Sequence, residues 1–593
     1  MMKIKKICKN HNIRYLFLPL NIFMSVLWQY YFQDTDSYFV IYQIVSLVSF
    51  LSTVYIVKYS PVLYVKNEKK VVNIIAFFLS AANLLANFAS FEYANPILIL
   101  MLLIVGFVIY YVILFVIVDI LSHKTKFIKE TNFNNKRLYI KLFILSFLFM
   151  TTVYLIYFIF VSRPGILTYD SYVQQAQIVS GNYTNHHPFW HTIIIAFFIK
   201  LGMILFHDIS YGTALFVIFQ IIFMSVCFSY ITINIYRISC SKTMYVLSVL
   251  FFSLMPYNIS YSSTVWKDIP FAICVAVFIT IFYNIAFRNE NTIINKIMLF
   301  LFGMGFCLMR NNGWLAFGIA FIIFLILFLF GKNTSSKSTV GIFVIILFIS
   351  WFMKNPLLDF MEVKEGKFTE ALSIPIQQIS RVVYEGKELE DDEILLIEKV
   401  ISVETIKKIY ISYISDPVKG TIADSGSKYI ENHKYKYLKL WLKIGKRYPV
   451  EYLKAWIEQT KGYWNGGYDY WIVGHNTAAI HRDNFVSKVY LYYFGLFEKS
   501  FMVITSSVGV LNTFYVFCFM YFWSKKRKEK ILIIPLFAIV LTLLIATPVF
   551  CEFRYAYSLF TCFPFIFTLL LYPKEENLKI SKNIAEGKNA DGI

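Results

Sequence analysis

Long apolar runs recur along this chain almost to its end, and short polar or basic stretches separate them. Many runs have roughly 18 to 25 residues, enough for an α-helix to cross the hydrocarbon core of a bilayer, which is about 30 Å thick. Because lipid cannot hydrogen-bond to free backbone groups, such runs must fold as helices. Hydrophobic residues make up 58% of the chain, too large a share for a soluble domain. The sequence therefore predicts an all-α polytopic membrane protein.

The net charge of +20 comes mostly from lysines and arginines in short loops between the apolar runs. Loops rich in lysine and arginine stay on the cytoplasmic side of a membrane. Their alternation with less basic loops predicts about 14 spans in the cell membrane with both termini inside. Charges spread over many loops form no single patch, so we expect no nucleic-acid partner. The basic loops lie at residues 3–14, 58–70, 124–137, 237–242, 288–296, 332–337 and 525–530.

One apolar run, residues 187–205, does not fit this alternation. Counting it as a span would place Arg237 and Lys242 outside and would invert every later loop. We therefore predict a juxtamembrane helix at the outer surface. Lys200 within this run is compatible with that position, because its long side chain can reach the interface.

The spans and polar stretches divide the chain into six predicted parts. The core is expected in two segments, separated by a soluble and mainly helical extracellular insert. The eight cysteines lie in or beside apolar runs without CxxC spacing, so no disulfide framework is expected. The parts are a four-span accessory module (1–121), a basic cytoplasmic linker (122–137), the membrane core (138–353), the insert (354–500), the spans completing the core (501–572) and a cytoplasmic tail (573–593).

Five polar clusters interrupt the apolar runs where the charge count places the outer face. They come from distant parts of the chain, and none belongs to the first four spans. Acids and cations gathered at one bilayer surface from such distant segments indicate a built site. The clusters are Thr168-Tyr169-Asp170, His186-His187-Pro188, Trp266-Lys267-Asp268, Arg310-Asn311-Asn312 and Glu552-Phe553-Arg554-Tyr555.

Asp170 is the only acid in the predicted outer loop 162–188. A carboxylate at the edge of a low-dielectric region can have a raised pKa, which suits a general base that takes a proton from a hydroxyl. Taken alone, however, an aspartate in this position is more often a helix cap.

The histidines His186 and His187 precede Pro188, and His191 follows one helical turn later. Histidine clusters occur at metal sites, but a nearby carboxylate in the right geometry is needed to make that interpretation convincing. Orientation of a phosphate or hydroxyl by hydrogen bonding is the favoured functional interpretation. Simple packing at the interface is the alternative.

Cations in three of the clusters reach the same predicted surface: Lys267, Arg310 and Arg554. Arginine favours bidentate contacts with phosphate, so several converging cations indicate a lipid-linked phosphate or diphosphate. For any one of them, anchoring to lipid headgroups is the simpler explanation. Glu552 is an acid at membrane depth and a functional candidate because such residues are costly.

The order of these motifs resembles the GT-C superfamily of integral membrane glycosyltransferases, which take a sugar from a polyprenyl-phosphate carrier. Within that superfamily, the chain is similar to the dolichyl-phosphate-mannose mannosyltransferases and the aminoarabinose transferases, and it resembles an uncharacterised bacterial branch. The resemblance covers about residues 138–573. The matching motifs are Tyr169-Asp170 after a span, His187-Pro188-Phe189-Trp190 opening a surface helix, Lys267-Asp268 in a later outer loop, and Arg554-Tyr555 near the last spans.

The resemblance implies a GT-C-like fold and roles for individual residues. Asp170 would be the general base, and Asp268 would be a second catalytic residue that orients the sugar or the cations. The donor phosphate would lie against Lys267, Arg310 and Arg554. The residues implied in orienting substrates are Tyr169, His186, His187, Asn311, Glu552 and Tyr555.

The implied reaction moves a sugar from a polyprenyl-phosphate donor to a cell-envelope polymer, glycolipid or protein on the outer face. A single displacement would invert the anomeric centre. No cofactor is expected, and a divalent metal is not favoured because loop 162–188 has no second acid near Asp170.

Three other functions fit parts of the pattern. A lipid-linked glycan flippase or transporter would also be polytopic, but it should carry ionisable residues near the middle of the bilayer. A membrane O-acyltransferase could use His186, His187 or His475 as its base, yet it leaves the cations without a role. A non-catalytic assembly partner in envelope synthesis is the third.

Overall fold

The apolar runs fold as helices in the computed structural model, and every regular element that the described residues form is helical. This confirms an all-α polytopic membrane protein. Residue His475 lies outside the described residues. The structure describes residues 15–32, 39–59, 66–91, 94–124, 136–330, 337–468, 470, 484–500 and 502–572.

Fourteen α-helices carry the described residues up to the start of the insert. Helix α5 continues as a π-helical turn, Phe158–Ser162. The helices are α1 (Phe17–Tyr31), α2 (Phe39–Tyr59), α3 (Lys66–Ala86), α4 (Pro96–Lys124), α5 (Lys136–Tyr157), α6 (Tyr169–Ser180), α7 (Phe189–Phe206), α8 (Ile209–Ser239), α9 (Lys242–Leu254), α10 (Pro256–Ser262), α11 (Asp268–Arg288), α12 (Ile293–Leu308), α13 (Gly313–Leu329) and α14 (Lys337–Lys354).

The rest of the described chain forms the insert and the last spans. Short 3-10 helices occur at Phe88–Phe91, Phe368–Leu372, Lys528–Ile533 and Phe553–Ala556. The α-helices are α15 (Pro356–Phe360), α16 (Ser373–Tyr384), α17 (Asp391–Glu398), α18 (Val403–Ile409), α19 (Asp416–Thr421), α20 (Asp424–Asn432), α21 (Lys434–Arg447), α22 (Pro449–Trp464), α23 (Phe485–Ser500), α24 (Met502–Thr505), α25 (Val508–Ser524), α26 (Ile534–Ala546) and α27 (Tyr557–Leu571).

Ten helical segments among the described residues are long and apolar enough to cross a membrane, or eleven if α9 and α10, bent by 53°, form one span. Three further apolar helices, α12, α13 and α25, have only 16 or 17 residues. The predicted count of about 14 stays a prediction. The ten segments are Ile41–Tyr59, Asn67–Ala86, Pro96–Ser122, Lys136–Ser162, Phe189–Phe206, Ile209–Ser239, Asp268–Arg288, Lys337–Phe360, Lys528–Ala546 and Phe553–Leu571.

Helices α5 and α8 run antiparallel and define the two ends of the bundle. At the Arg163 end, the Arg163 guanidinium lies 5.8 Å from the ring centre of Tyr211, just after α5 ends and α8 begins. At the Arg237 end, Arg237 lies 5.7 Å from the ring of Tyr139. Helix α11 also reaches the Arg237 end, because Arg288, its last residue, donates to the Arg237 carbonyl at 3.4 Å. The predicted basic loops that begin at Arg237 and Arg288 thus lie at the same end of the bundle.

Helix α7 meets α8 only near the start of α8. The ring of His191 lies 5.9 Å from that of Phe216, and Gly202 packs against Gly212. The rings of Phe198 and Phe219 lie 5.0 Å apart, so the contacts extend over residues 191–202 of α7 and 212–219 of α8. The Gln174 amide of α6 donates to Thr192 in the first turn of α7 at 2.8 Å, and α7 ends three residues before α8 begins. Both ends of α7 therefore lie near the Arg163 end of the bundle.

We expect Gly212→Ala to destabilise this crossing. A Cβ atom there would lie 2.5 Å from the Ile199 Cα and 2.9 Å from the Ile199 carbonyl oxygen, and backbone cannot move aside easily. The cost should be roughly 1–3 kcal/mol, seen as a lower unfolding temperature in detergent. The matched control is Gly341→Ala in α14, where a Cβ meets nothing within 4 Å. Equal unfolding temperatures for the two variants would contradict this packing.

The insert has its own small core and is mainly helical, as predicted. It docks on the bundle through α22, where the Trp456 indole donates to the Leu544 carbonyl at 3.0 Å and the Gln459 amide donates to the Thr547 carbonyl at 2.8 Å. This places the insert against the loop that follows α26. Its core side chains include Val382, Val383, Ile397, Ile406, Val418, Leu440 and Ile444.

The first four helices pack around a separate apolar cluster that contains Trp28, Tyr42 and Leu102. Glu68 at the start of α3 forms an ion pair with Lys525 at the end of α25. This pair joins the N-terminal helices to the C-terminal spans. The predicted accessory module is therefore in contact with the rest of the bundle.

Candidate functional site

All five polar clusters meet at the Arg163 end of the bundle. Two loops are joined there by backbone hydrogen bonds, from the Ile166 amide to the Ser263 carbonyl at 2.8 Å and from the Val265 amide to the Ile166 carbonyl at 3.0 Å. The Gln220 amide of α8 donates to the carbonyls of Tyr261 and Thr264, both at 2.9 Å. These bonds fix the segments that carry Asp170 and Lys267.

Asp170 lies between two cations. Its Oδ2 atom accepts from Lys267 Nζ at 2.9 Å and from Arg554 Nη1 at 3.0 Å. All three side chains retain partial exposure, between 14% and 19%. The three residues form a charge cluster that we call the Asp170 clamp, and it joins segments up to 384 positions apart in the chain.

Two expectations for Asp170 are wrong. It is not the helix cap, because α6 begins at Tyr169 with Thr168 as its N-cap residue, and the Thr168 amide donates to Ser171 Oγ at 3.1 Å. Its pKa is not raised. Burial alone would raise it, but the charges of Lys267 and Arg554 outweigh burial and hold the pKa of Asp170 well below its usual range.

His187 completes the surroundings of Lys267. Its Nδ1 atom accepts from Lys267 Nζ at 2.9 Å. Burial, followed by the charge of Lys267, lowers the pKa of His187 to about 2, so the ring is neutral and Nε2 carries the proton. The buried Nε2 atom has no hydrogen-bond partner in the described part of the chain. Burial also lowers the pKa of His186, whose ring lies 4.5 Å from that of His187.

Arg310 and Asp268 form a second, deeper pair. Arg310 Nε lies 3.1 Å from Asp268 Oδ1, and the two side chains are 9% and 0% exposed. Arg310 Nη1 also donates to the Tyr555 carbonyl at 2.9 Å, and the guanidinium lies 4.8 Å from the centre of the Tyr555 ring. Lys267 and Asp268, though adjacent in sequence, thus have different partners.

Arg554 connects the Asp170 clamp to Glu552. Its Nε atom lies 3.2 Å from Glu552 Oε1, while its Nη1 atom contacts Asp170. The guanidinium lies 4.5 Å from the centre of the Trp266 ring, a favourable cation–π distance. The Trp266 indole is held in place by a 2.5 Å hydrogen bond to Thr168 Oγ1.

Glu552 is the acid whose protonation we expect to change near neutral pH. Burial raises its pKa from 4.5 to about 7; Asp268 and Asp170 add to this rise, and Arg554 opposes it. The protonated form therefore stabilises the fold at low pH, and this contribution is lost as the pH rises through about 7. The rise in pKa from 4.5 to about 7 corresponds to a change of about 3 kcal/mol in the free energy of unfolding.

We therefore predict that Glu552→Gln changes how stability depends on pH. Relative to this variant, the native protein should lose unfolding temperature between pH 5 and about 8, since only the native protein must bury a charge there. The measurement is thermal unfolding in detergent across that range, with Glu365→Gln, a change at an exposed carboxyl on the insert, as control. Parallel pH profiles for the native protein and Glu552→Gln would contradict the raised pKa.

A cavity of about 630 Å³ opens beside these pairs. Its walls come from the segment before α7, the loop between α12 and α13, the start of the insert and the loop after α26. Lys267, Arg310 and Tyr555 line it, whereas Asp170 and Arg554 are not among its lining residues but contact Lys267 or each other. Further charged lining residues are Lys354, Lys367, Asp359, Glu365 and Glu370.

The remaining predicted residues take different positions. His186 lines the cavity, and Asn311 donates to the carbonyls of Asn185 at 3.0 Å and His186 at 3.2 Å. The side chain of Tyr169 is 80% exposed and has no contact with the clamp among the described residues. The structure thus brings together every predicted site residue except the Tyr169 ring.

Three residues of the site were missed. Lys354 donates to the Asn311 carbonyl at 2.8 Å and lines the cavity, although in the sequence it only marked where the insert begins. Trp266 and Thr168 support Arg554, and their presence in two polar clusters was the available signal. Across the described ranges, no group of three His, Cys, Asp or Glu side chains is arranged to hold a metal ion.

The comparisons with known proteins leave the geometry of this site as the main basis for a functional proposal. No curated protein and no solved structure matches the chain. One family model matches residues 27–583, which include all five polar clusters and nearly the whole chain. The chain belongs to DUF6020, a family of unknown function.

Proposed function

We propose that this protein is a glycosyltransferase that moves a sugar from a polyprenyl-phosphate donor to a cell-envelope acceptor at the outer face of the membrane. The observation that carries the proposal is the convergence of three cations and three acids from four distant segments beside one cavity. Such an arrangement suits a ligand that is both anionic and rich in hydroxyl groups.

The donor phosphate is assigned to the cavity wall formed by Lys267 and Arg310, the two predicted phosphate-binding residues that line it. A guanidinium and an ammonium group fixed by neighbours need no reorganisation when a phosphate arrives. The protonated Nε2 of His187 is a further donor near Lys267.

Asp170 remains the proposed base, with a condition set by the clamp. While Lys267 and Arg554 bind its carboxylate, its low pKa makes it a poor proton acceptor. A donor phosphate that competes for Lys267 would weaken this hold and raise the basicity of Asp170. Donor binding therefore prepares the base.

The reaction is a single displacement that conserves atoms and charge. The acceptor hydroxyl oxygen forms a bond to the anomeric carbon while the bond from that carbon to the phosphate oxygen breaks. The hydroxyl proton passes to Asp170, and polyprenyl phosphate leaves with its added charge against Lys267 and Arg310. Attack from the opposite face inverts the anomeric centre.

The course of α7 supports a GT-C-like arrangement. Both ends of this apolar helix lie near the Arg163 end, so it suits a juxtamembrane helix rather than a span. With α7 at the surface, Arg237 and Arg288 fall on the cytoplasmic side by the positive-inside rule. The site would then face outward.

Two other functions account for less of the geometry. A transporter needs ionisable groups along a path through the bilayer, whereas these groups cluster at one end of the bundle. An acyltransferase needs a basic histidine, but the pKa of His187 is lowered to about 2. A neutral ring with so low a pKa is a weak base.

The envelope of a strain that lacks this protein tests the proposed function. We expect one sugar to be missing from a polymer, glycolipid or protein, and the matching polyprenyl-phosphate sugar to accumulate. The native chain should restore the sugar, whereas Asp170→Asn, present at the same level in the membrane, should not. An unchanged envelope, or restoration by Asp170→Asn, would exclude the proposal.

Transfer should not require a divalent metal, because Lys267 and Arg310 supply the positive charge for the leaving phosphate. We predict that EDTA leaves the transfer rate of purified protein within about twofold of the untreated rate. Added Mg²⁺ or Mn²⁺ serves as the paired measurement. A loss of activity with EDTA that either metal restores would show a metal-dependent mechanism.

A further inference from the structure

An apolar groove runs between α13 and α14 on the outside of the bundle. Its volume is about 450 Å³, and it is lined by Trp314, Phe321, Val344, Leu347, Phe348 and Trp351. Several of these side chains are open to the surroundings, and Phe348 is 64% exposed. In a membrane, the groove opens to the hydrocarbon.

The groove ends at the polar cavity. Trp314 is followed directly by Leu315, which lines the cavity, and Trp351 lies one helical turn before Lys354, which also lines it. Lys354 donates to the Asn311 carbonyl at 2.8 Å and so connects the end of α14 to the start of α13. The cation of Lys354 therefore lies at the boundary between the apolar groove and the polar cavity.

We propose that this groove binds the prenyl chain of a prenyl phosphate and that Lys354 contacts the phosphate as it enters the cavity. This inference rests on the proposed function, which requires such a donor, and it adds the path of the lipid and a binding residue. The head of the ligand would continue toward Arg310, and the chain would follow α13 and α14 into the bilayer.

Size and charge favour a hydrocarbon chain over a protein helix as the occupant. A volume of about 450 Å³ corresponds to about one turn of an α-helix with its side chains, whereas a single hydrocarbon chain is thin enough to follow the groove. The two tryptophans at the Lys354 end suit the level of lipid headgroups. A cation at one end and apolar walls along the rest match a ligand with an anionic head and a long tail.

The chain offers a matched pair of variants in α14. Val344 lines the groove and is 50% exposed, while its neighbour Ile345 is 49% exposed and does not line it. Val344→Trp should fill the groove, and Ile345→Trp adds the same bulk at the same depth elsewhere. Lys354→Met removes the boundary cation without shortening the side chain much.

The experiment measures the binding of isopentenyl phosphate and a long-chain polyprenyl phosphate to purified protein in nanodiscs. Val344→Trp should weaken binding of the long-chain ligand about tenfold, the order expected for losing one or two buried methylenes, and should leave isopentenyl phosphate unchanged. Ile345→Trp should leave both unchanged, and Lys354→Met should weaken both. A straight-chain alkyl phosphate should bind more weakly than the long-chain polyprenyl phosphate.

Three results would overturn the inference in distinguishable ways. Equal effects of Val344→Trp and Ile345→Trp, with phosphate binding intact, would remove the groove and leave the proposed function standing. Equal affinity for a straight-chain alkyl phosphate would make the groove a site for ordinary membrane lipid. If the native protein binds neither prenyl phosphate, the proposed function fails as well.

Discussion

Asp170→Asn is expected to abolish sugar transfer while the protein remains folded and membrane-inserted. Loss of a general base lowers rates by roughly 10²–10⁴-fold, and asparagine cannot take the proton from an acceptor hydroxyl. The amide oxygen can still accept from Lys267 or Arg554, but the charge between the two cations is lost, so the unfolding temperature should fall while the protein remains folded. The rate of transfer from donor to acceptor, measured at saturating donor, is the quantity to compare.

The matched control for this variant is Asp359→Asn, which makes the same chemical change in an exposed residue of the cavity wall. We expect it to retain most activity because Asp359 does not contact Lys267 or Arg554. Full activity in Asp170→Asn, or equal losses in both variants, would contradict the assignment of Asp170 as the base.

Arg310→Met is expected to cost roughly 3–5 kcal/mol of stability, because it leaves the fully buried Asp268 carboxylate without its cation. Adding Asp268→Asn should recover a large part of that loss, since it removes the buried charge. Denaturation of the native protein, both single variants and the double variant gives the coupling energy directly.

The control for this cycle is the exposed pair formed by Lys367 and Asp424, whose side chains are 41% and 80% exposed. Lys367→Met should destabilise the protein much less than Arg310→Met, because solvent already screens the pair. Additive losses from Arg310→Met and Asp268→Asn would show that the buried pair contributes no coupling.

The sequence predicted the meeting of distant polar clusters, because charged loops and apolar lengths fix which ends of helices share a surface. It also predicted a juxtamembrane helix over residues 187–205, and that position stays a prediction, because α7 is long and apolar enough to cross a membrane. These predictions depend on the lengths of the apolar runs and on the charges of the loops between them, and both can be read from local sequence.

Partner choice within the site could not be predicted in the same way. Lys267 and Asp268 are neighbours in sequence, but successive helical residues point about 100° apart, so one reaches Asp170 and the other Arg310. The sequence predicted a raised pKa for Asp170, and this direction was wrong for a related reason. It depends on Arg554, which lies 384 positions away and could not be placed from sequence.

The break between α12 and α13 was visible in the sequence, but the shape of the cavity was not. Helices α12 and α13 have only 16 and 17 residues, because the Arg310-Asn311-Asn312 cluster interrupts the apolar run between them. The cavity wall formed by the start of the insert depends on how residues near Lys354 and Glu370 fold back over the bundle. No periodic pattern marks that contact.

The turnover of polyprenyl-phosphate sugars by the purified protein tests the central claim most directly. A panel of donors would be incubated with an envelope extract from the deletion strain, and release of polyprenyl phosphate would be measured for the native protein and for Asp170→Asn. We predict release with one donor, coupled to sugar incorporation, and at least a hundredfold less release by Asp170→Asn. The proposal would be contradicted if the folded native protein released no polyprenyl phosphate from any donor, or if Asp170→Asn released it equally fast.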